Sequence, residues 1–397
     1  MARTQVGIVG AGPAGLVLAH LLAQQGIECV VLEKYSRAHI EVRVRAGLLE
    51  HRTVQLLRER GLGERMLERG TPHHGTELRF DGERHRIPYS DLYGGRAMLV
   101  YPQQEIVSDL VRLRLAAGGE IAFEAEDVRL DGIDSERPTI RYLASGEART
   151  LECDIIAGCD GFHGISRPSI PGGVLTVYND RLPFGWVGIL AAVPPSTSEI
   201  IYAIHENGFA GHMLRSDTVS RFYLQCDADD DIASWPDDRI WYELRTRLAT
   251  NDGWVLREGA ILEKNITEMR SFLVEPMQYG RLYLAGDAAH IVPPTGAKGM
   301  NLAINDARIL AEAITGWYGH GDGALLEGYS AACLRRVWRV QEFSSWMSWM
   351  LHRLPANIPN RAFREQLQRA QLRYVTSSAA GAAAFAENYV GIEEASG

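Results

Sequence analysis

The chain has 397 residues, of which 46% are hydrophobic and 23% are charged, and its formal net charge is -9. A chain of this length is too long for one compact core, so we expect two closely joined lobes. The acidic balance argues against nucleic acid or an anionic membrane as a partner, and no run of about 18 apolar residues is present that could span a bilayer.

The chain begins with a βαβ pattern. Residues 4–9 form an apolar, β-branched run that predicts a buried parallel strand, residues 16–25 predict a helix, and residues 28–32 predict a second strand. A signal peptide would place a longer apolar region and a cleavage site before this unit. We therefore expect a cytoplasmic protein.

A glycine motif joins the first strand to the helix. Gly10, Gly12 and Gly15 form the pattern GxGxxG, which permits a tight turn and lets a pyrophosphate approach the helix N-terminus. Glu33 ends the second strand, where a carboxylate can accept hydrogen bonds from ribose hydroxyls. The pattern predicts a dinucleotide site. A purely structural turn is the alternative, and the motif alone does not distinguish FAD from NAD(P).

The rest of the chain alternates between strands and helices. Residues 108–117 predict a helix, and residues 120–124, 128–130 and 139–143 predict strands of one small sheet. The aromatic and β-branched segment 183–227 predicts an antiparallel sheet that forms the wall of a second lobe. Further elements are predicted as strands at 154–157 and 281–285, and as helices at 299–318 and within 325–375.

The cysteines predict neither disulfides nor a metal site. The five are scattered and have no spacing that suits a metal ion, so we expect buried, reduced thiols. They are Cys29, Cys153, Cys159, Cys226 and Cys333.

Two later segments also follow predicted strands. Gly286-Asp287 is followed by a loop, residues 293–301, that begins a helix and suits a pyrophosphate or the edge of a flavin ring. Asp160-Gly161 lies in segment 159–167 after the strand at 154–157. In chain order, the GxGxxG motif, Asp160-Gly161 and Gly286-Asp287 together resemble the motifs of the class A flavoprotein monooxygenases. More narrowly, the chain is similar from end to end to the 4-hydroxybenzoate 3-monooxygenase family, through residues 43–47, 159–167, 183–186, 270–278, 284–301 and 387–391.

This resemblance implies an α/β (α+β) fold. It predicts a discontinuous Rossmann-like FAD-binding lobe (1–72, 98–180 and 268–350), an interleaved antiparallel-sheet substrate lobe (73–97 and 181–267) and a helical C-terminal region (351–397). Glu33 would hold the adenosine ribose, and Asp287 would hold the ribityl chain. The expected FAD residues are Gly10, Gly12, Gly15, Glu33, Arg43, Arg45, Ala46, Gly47, Gln103, Asp160, Asp287, Gly296, Met300 and Asn301.

The resemblance also implies hydroxylation of a phenolic carboxylic acid beside its hydroxyl group, with NAD(P)H and O2. Tyr202 would meet the phenol oxygen, Tyr389 would continue the hydrogen-bond chain, and His73 would carry the proton to solvent. Packing in the core is the alternative role for both tyrosines. The expected substrate contacts are Tyr202, Met213, Leu214, Arg215, Tyr223, Pro294 and Thr295, of which Arg215 and Tyr223 would hold the carboxylate.

The nicotinamide cofactor has no second Rossmann unit, so it would dock in a surface cleft. The matching residues are Lys34, Arg37, His39, Arg43, His163 and Arg270. Tyr35 and His39 depart from the usual pattern of the family, which favours NADH or the use of both NADH and NADPH.

The substrate wall departs from the family at Gly211-His212-Met213. Met213 replaces a serine that donates to the carboxylate, a loss of about 1.5–3 kcal/mol unless another group replaces it. His212 would compensate if its ring turned inward, and Gly211 would widen the pocket. A substituted or amino analogue of 4-hydroxybenzoate is therefore an alternative substrate.

Two other classes compete with this hypothesis. A flavin halogenase would need a Trp-x-Trp-x-Ile-Pro motif, whereas this region contains only Trp186. A non-catalytic flavin-binding redox sensor would need neither Arg215 nor the tyrosine pair. We also expect a homodimer as a possible assembly.

Overall fold

The computed structural model describes residues 2–43 and 47–392. The strands of this part are, in chain order, β1 (Ala2–Arg3), β2 (Val6–Val9), β3 (Cys29–Leu32), β4 (Leu48–Leu49), β5 (Thr71–His73), β6 (Thr76–Phe80), β7 (Glu83–Ile87), β8 (Met98–Val100), β9 (Glu120–Ala122), β10 (Glu126–Asp131), β11 (Thr139–Ala144), β12 (Glu147–Glu152), β13 (Ile155–Gly158), β14 (Thr176–Ala192), β15 (Ile200–His205), β16 (Gly208–Leu214), β17 (Ser220–Asp227), β18 (Ala260–Glu275), β19 (Gln278–Tyr279), β20 (Leu282–Leu284) and β21 (His290–Ile291). The helices are α1 (Pro13–Gln24), α2 (Arg37–Val42), α3 (His51–Glu59), α4 (Glu64–Arg69), α5 (Tyr89–Leu92), α6 (Gln103–Ala116), α7 (Asp237–Leu248), α8 (Gly299–His320), α9 (Ala324–Glu327), α10 (Tyr329–Leu351), α11 (Arg361–Ser377) and α12 (Ala379–Val390).

A six-stranded sheet forms the Rossmann-like part, in the order β19-β20-β13-β2-β3-β9. Its pairs are parallel except for β19 with β20. The interior residues of β2 and β13 are buried on both faces, which explains why these strands read as continuous apolar runs. The predicted βαβ unit is therefore confirmed.

The small sheet differs from the prediction in one strand. β10, β11, β12 and β1 form a four-stranded sheet, but β9 lies at the edge of the Rossmann-like sheet, where it pairs with β3. The prediction for residues 120–124 was wrong in this respect, because neighbours along the chain do not always pair. All five cysteines are free and buried, as predicted.

The predicted antiparallel wall is part of an eight-stranded sheet, in the order β21-β18-β14-β17-β16-β15-β6-β7. One face packs against an aromatic cluster that includes residues of α10 and α12, and the other face packs against α7. β14 and β18 run without interruption through the predicted lobe boundaries near residues 180 and 267. The division into lobes stays a prediction.

No helix of the described residues is long and apolar enough to cross a membrane. The described fold therefore mixes parallel and antiparallel sheets with helices, which confirms the α/β (α+β) class.

Candidate active site

The glycine motif forms a tight turn with open space at its centre. Gly10 has a φ of 106°, and a Cβ there would lie 2.4 Å from the Cys159 carbonyl oxygen. A Cβ at Gly15 would lie 2.0 Å from the Gly10 carbonyl oxygen, whereas a Cβ at Gly12 would meet no atom of the described residues within 4 Å. The N-terminus of α1 is thus open at Gly12, which fits a pyrophosphate.

Glu33 ties this turn to the end of β3. Its Oε2 accepts a hydrogen bond from the Ala11 N–H at 2.8 Å, and its Oε1 accepts one from the Tyr35 N–H at 2.9 Å. Each carboxylate oxygen keeps a second lone pair, so both remain able to accept a ribose hydroxyl. The ribose contact stays a prediction.

Asp160 uses one of its carboxylate oxygens for hydrogen bonds within its own loop. Its Oδ2 accepts hydrogen bonds from the Ser166 N–H and hydroxyl, both at 2.9 Å, while its Oδ1 is buried and has no partner in the described part of the chain. Burial raises the pKa of this carboxyl group. The orphan oxygen can accept a bond from a ligand, which agrees with the predicted cofactor role. Asp287 lies exposed in the turn after β20.

The loop before α8 is held by buried polar groups. The Asn301 side chain accepts from the Glu50 N–H at 2.9 Å and donates to the Leu48 carbonyl at 3.0 Å. Lys298, only 1% exposed, bonds to Glu50 at 2.8 Å and to the Tyr389 carbonyl at 2.7 Å. The sequence predicted no role for Glu50 or Lys298, because a charged pair that is distant in sequence leaves no local signal.

The structure describes most of the remaining predicted FAD residues. Gly47 packs so closely on the chain that a Cβ would lie 2.1 Å from the Tyr101 carbonyl oxygen. Gly296 is buried, Met300 is half-buried, and Gln103 begins α6. Arg43 ends α2. Arg45 and Ala46 lie outside the described residues.

Two tyrosines meet at the centre of the aromatic cluster. The hydroxyl oxygens of Tyr202 and Tyr389 lie 2.7 Å apart, and the Tyr202 hydroxyl donates to the Thr295 carbonyl at 3.3 Å. All three residues are fully buried. Burial raises the pKa of both phenols, so both stay protonated at neutral pH. The pair is a two-step hydrogen-bond chain, as the resemblance implies, and Pro294 directly precedes Thr295.

His73 does not join this chain through a hydrogen bond. It ends β5, is 1% exposed, and neither ring nitrogen has a hydrogen-bond partner among the described residues. Burial lowers the pKa of His73 to about 4, so the ring is neutral at pH 7. Tyr89, which the sequence did not single out, packs against Tyr389 with ring centroids 5.5 Å apart, and its buried hydroxyl has no hydrogen-bond partner within residues 2–43 and 47–392.

Two tyrosines of the predicted substrate wall share one row of the eight-stranded sheet. Tyr202 pairs with Gly211 on β16, and Gly211 pairs with Tyr223 on β17. Cross-strand partners share a face, so Tyr202 and Tyr223 point to the same side, two strands or about 10 Å apart. Arg215 follows β16 on the same side by alternation from Gly211 and Met213. The structure thus places a buried phenol at one end of a short wall and a cation towards the other.

Arg215 is part-buried beside another cation and an amide. Its Nη2 donates to the Gln104 Oε1 at 2.8 Å. Burial, together with nearby Arg221, lowers the pKa of Arg215 to about 10. The guanidinium stays charged at pH 7, but its hydrogen bond in the described structure goes to an uncharged group, which favours an added carboxylate.

Three expectations for the unusual wall need correction. His212 faces the opposite side, where its ring packs 4.8 Å from Phe222 and its Nε2 accepts from the Ser196 N–H, so it cannot replace the missing serine. Leu214 shares this alternation, and its side chain points away from the Tyr202 row. A Cβ at Gly211 would lie 3.1 Å from the Phe209 ring, so that ring fills the space expected to widen the pocket.

A second hydrogen-bond chain leads to Thr295, and the sequence did not reveal it. The Trp186 indole donates to the His352 Nε2 at 2.6 Å, and the His352 Nδ1 bonds to the Ser348 carbonyl at 2.7 Å. The Ser348 hydroxyl in turn lies 2.8 Å from that of Thr295. Because the second nitrogen faces a carbonyl acceptor, Nδ1 carries the proton and the ring is neutral.

Five of the six predicted nicotinamide residues, all except Arg43, form two groups. In the first, the rings of Tyr35 and His39 stack with centroids 4.5 Å apart, Lys34 lies over Tyr35, and Arg37 pairs with Glu41 at 2.8 Å.

The second group gathers around a phenylalanine. Phe162 meets the ring of His163 edge to face at 4.9 Å and lies beneath the Arg270 guanidinium at 4.9 Å. No hydrogen bond or ring contact of the described residues links the two groups.

Comparison with known proteins shows the family to which the chain belongs. The FAD binding domain family matches residues 3–344. The chain belongs to this family. Its relative p-hydroxybenzoate hydroxylase from Acinetobacter baylyi is 42% identical over 98% of this chain and 96% of its own length. Rifampicin monooxygenase from Streptomyces venezuelae is 30% identical over 82% of this chain and 67% of its own length.

A solved structure shows the same fold. The p-nitrophenol 4-monooxygenase of Pseudomonas putida DLL-E4 matches with a TM-score of 0.81 at 22% identity, over 99% of this chain and all of the other. These findings confirm the predicted class A flavoprotein monooxygenase and its FAD cofactor. The open turn at Gly12 and the orphan oxygen of Asp160 fit that cofactor.

Proposed function

We propose that this monooxygenase hydroxylates 4-hydroxybenzoate beside its hydroxyl group to give 3,4-dihydroxybenzoate, with NAD(P)H and O2 as co-substrates. One observation carries the proposal: Tyr202 on β15 and Arg215, which follows β16, lie on the same face of one sheet, and the Tyr202 hydroxyl meets that of Tyr389. Tyr223 lies on this face too, on the neighbouring strand β17. A phenol at one end and a carboxylate at the other complement these groups. The 42% identical p-hydroxybenzoate hydroxylase supports this substrate.

Different side chains would bind the two ends of the substrate. Arg215 binds the carboxylate as a fork and fixes the ring in one direction. Tyr202 hydrogen-bonds the substrate phenol, and the Tyr389 hydroxyl at 2.7 Å offers the next step for its proton. Loss of that proton raises the electron density at the carbon beside the oxygen, which is where the hydroxyl group is added.

The protein also keeps the reaction away from water. Tyr202, Tyr389 and Thr295 are all fully buried, so a bound ring is enclosed on the phenol side. When bound, FAD supplies the redox and oxygen chemistry. Gly10, Gly12, Gly15, Glu33 and Asp160 would hold its adenosine and pyrophosphate part, and Asp287 with the loop before α8 would hold the flavin part.

Product analysis tests the function. Purified holoenzyme with 4-hydroxybenzoate, O2 and either NADH or NADPH should form 3,4-dihydroxybenzoate in proportion to the reductant consumed. The same assay with 4-aminobenzoate tests the alternative substrate that Met213 suggested. Oxidation of the reductant with every acid but without hydroxylated product would contradict the proposal.

We also propose a homodimer. α11 exposes Phe363 (65%), Leu367 (50%) and Tyr374 (55%), whose spacing places them along one side of the helix. A two-fold dimer would bury this stripe against its own copy, because such interfaces are self-complementary. Light scattering should give about twice the chain mass, and Leu367→Ser should lower it. The cytoplasmic location stays a prediction.

A further inference from the structure

Gln104 is the neutral partner of the cation in the substrate wall. It is the second residue of α6, and its Oε1 accepts from the Arg215 Nη2 at 2.8 Å in a part-buried position. The amide oxygen is thereby used, whereas the two N–H donors of its Nε2 have no acceptor among the described residues. The Oε1 and Nε2 atoms of Gln104 are attached to the same carbon atom. Since Oε1 contacts Arg215, an anion bound to Arg215 would also be within reach of Nε2.

The wall lacks a donor that the resemblance leads us to expect. Met213 occupies the position of a serine, and its side chain packs against the aromatic cluster, where it offers no N–H or O–H. His212 faces the opposite side of the sheet and cannot help. A carboxylate in this wall would therefore lose one charge-assisted hydrogen bond unless another element supplies it.

We propose that Gln104 supplies this bond: its oxygen positions Arg215, and its Nε2 donates to the carboxylate of the bound aromatic acid. The donor that relatives place on a strand comes here from the first turn of α6. Gln104 is then a specificity-determining residue that favours an acid over its uncharged analogues. This inference rests on the proposed function, because it takes the substrate to be an aromatic carboxylate.

Four variants test the assignment in the holoenzyme: Gln104→Ala, Gln104→Glu, Met213→Ser and Gln104→Ala with Met213→Ser. Dissociation constants for 4-hydroxybenzoate and for the neutral 4-hydroxybenzamide are measured by titration of the flavin absorbance. Gln104→Ala should raise the constant for the acid about tenfold, which matches one lost bond to a charge. The constant for the amide should change less than threefold, and kcat at saturating acid should fall less than the affinity.

The other variants test whether the effect of Gln104 depends on its hydrogen bond to the carboxylate. Gln104→Glu keeps the shape but adds a negative charge, so it should weaken the acid more than Gln104→Ala does. Met213→Ser in the Gln104→Ala background should recover most of the affinity, because it restores the serine donor. Gln366→Ala, an exposed glutamine on α11, should match the parent protein.

Each contrary result has a separate meaning. If Gln104→Ala binds the acid within twofold of the parent, weakens acid and amide equally, or is not rescued by Met213→Ser, the role of Gln104 is wrong. If the parent forms no product from 4-hydroxybenzoate, the proposed function fails instead. The Gln104 series is then titrated with benzoate, and equal affinities for all variants would overturn this inference as well.

Discussion

The hydroxyl oxygens of Tyr202 and Tyr389 lie 2.7 Å apart in a part of the core that excludes solvent. Such a pair can pass a proton only if both hydroxyls are present. Tyr202→Phe should still bind substrate, but product formation should fall by about 100-fold or more, the usual contribution of a positioned proton acceptor. Product and hydrogen peroxide should be measured together, since uncoupled turnover raises peroxide.

Tyr142→Phe provides the control, because Tyr142 is also buried but lies in the four-stranded sheet. Undiminished hydroxylation by Tyr202→Phe without extra peroxide would exclude the proton-transfer role.

Arg215→Lys should weaken substrate binding more than it slows turnover. A lysine ammonium is a point charge and cannot reproduce the two parallel hydrogen bonds of a guanidinium. We expect the dissociation constant for 4-hydroxybenzoate to rise about tenfold or more, since a bond to a charged group contributes about 1.5–3 kcal/mol. Arg245→Lys on α7 is the matched control. Equal affinity in Arg215→Lys and the parent would place the carboxylate elsewhere.

Gly12→Val should yield protein with little FAD. The side chain would enter open space in the protein itself, so the expected loss comes from a clash with the bound cofactor. Gly172→Val is a close control, because a Cβ at Gly172 also meets nothing within 4 Å. Flavin absorbance per chain measures the outcome, and a full complement in Gly12→Val would remove the motif from the cofactor site.

The choice of nicotinamide cofactor should respond to Glu41. Arg37, the candidate ligand for a 2′-phosphate, is paired with this carboxylate at 2.8 Å. We expect a kcat/KM for NADH at least equal to that for NADPH. Glu41→Gln should shift the ratio towards NADPH, because it frees the guanidinium. A strong NADPH preference in the parent would show that Arg37 and Lys34 bind the phosphate despite this pairing.

Acid should destabilise the protein through His352. Burial lowers the pKa of this histidine to about 3, whereas the unfolded chain binds the proton near pH 6.5. The unfolded state therefore binds more protons below pH 6.5, and stability is lost as the pH falls from there towards 3. The loss is about 2 kcal/mol at pH 5.

Urea unfolding at pH 7.5 and pH 5 measures this effect. His352→Gln should reduce the difference between the two pH values by that amount, whatever its stability at pH 7.5. His320→Gln, at the exposed end of α8, controls for the loss of a histidine. An unchanged difference in His352→Gln would assign the acid sensitivity to other groups.

The sequence predicted those features that depend on local pattern. The βαβ unit, the glycine turn and the antiparallel wall follow from periodicity and from glycine at fixed spacing. The place of β9 depends on a partner about ninety residues earlier, β3, so its pattern could not reveal the sheet to which it belongs.

The details of the site depend on contacts that no spacing encodes. His212 was a candidate donor until strand alternation put it on the far face, and the Phe209 ring that fills the space over Gly211 sits two residues away on the same strand. Gln104 and Arg215 are more than a hundred residues apart, and the hydrogen bond between them forms only because the fold brings the start of α6 close to the end of β16.

Lys298 links three segments that are distant in the sequence. Its ammonium group, in the loop that precedes α8, grips the main chain of Tyr389 near the end of α12 and the carboxylate of Glu50 near the start of α3. A displacement of α12 would therefore displace the loop before α8 as well. A displacement of that loop would in turn change the position of the Tyr389 phenol. Destabilising substitutions in α12 should consequently weaken the retention of FAD, although α12 is far in the sequence from the glycine motif.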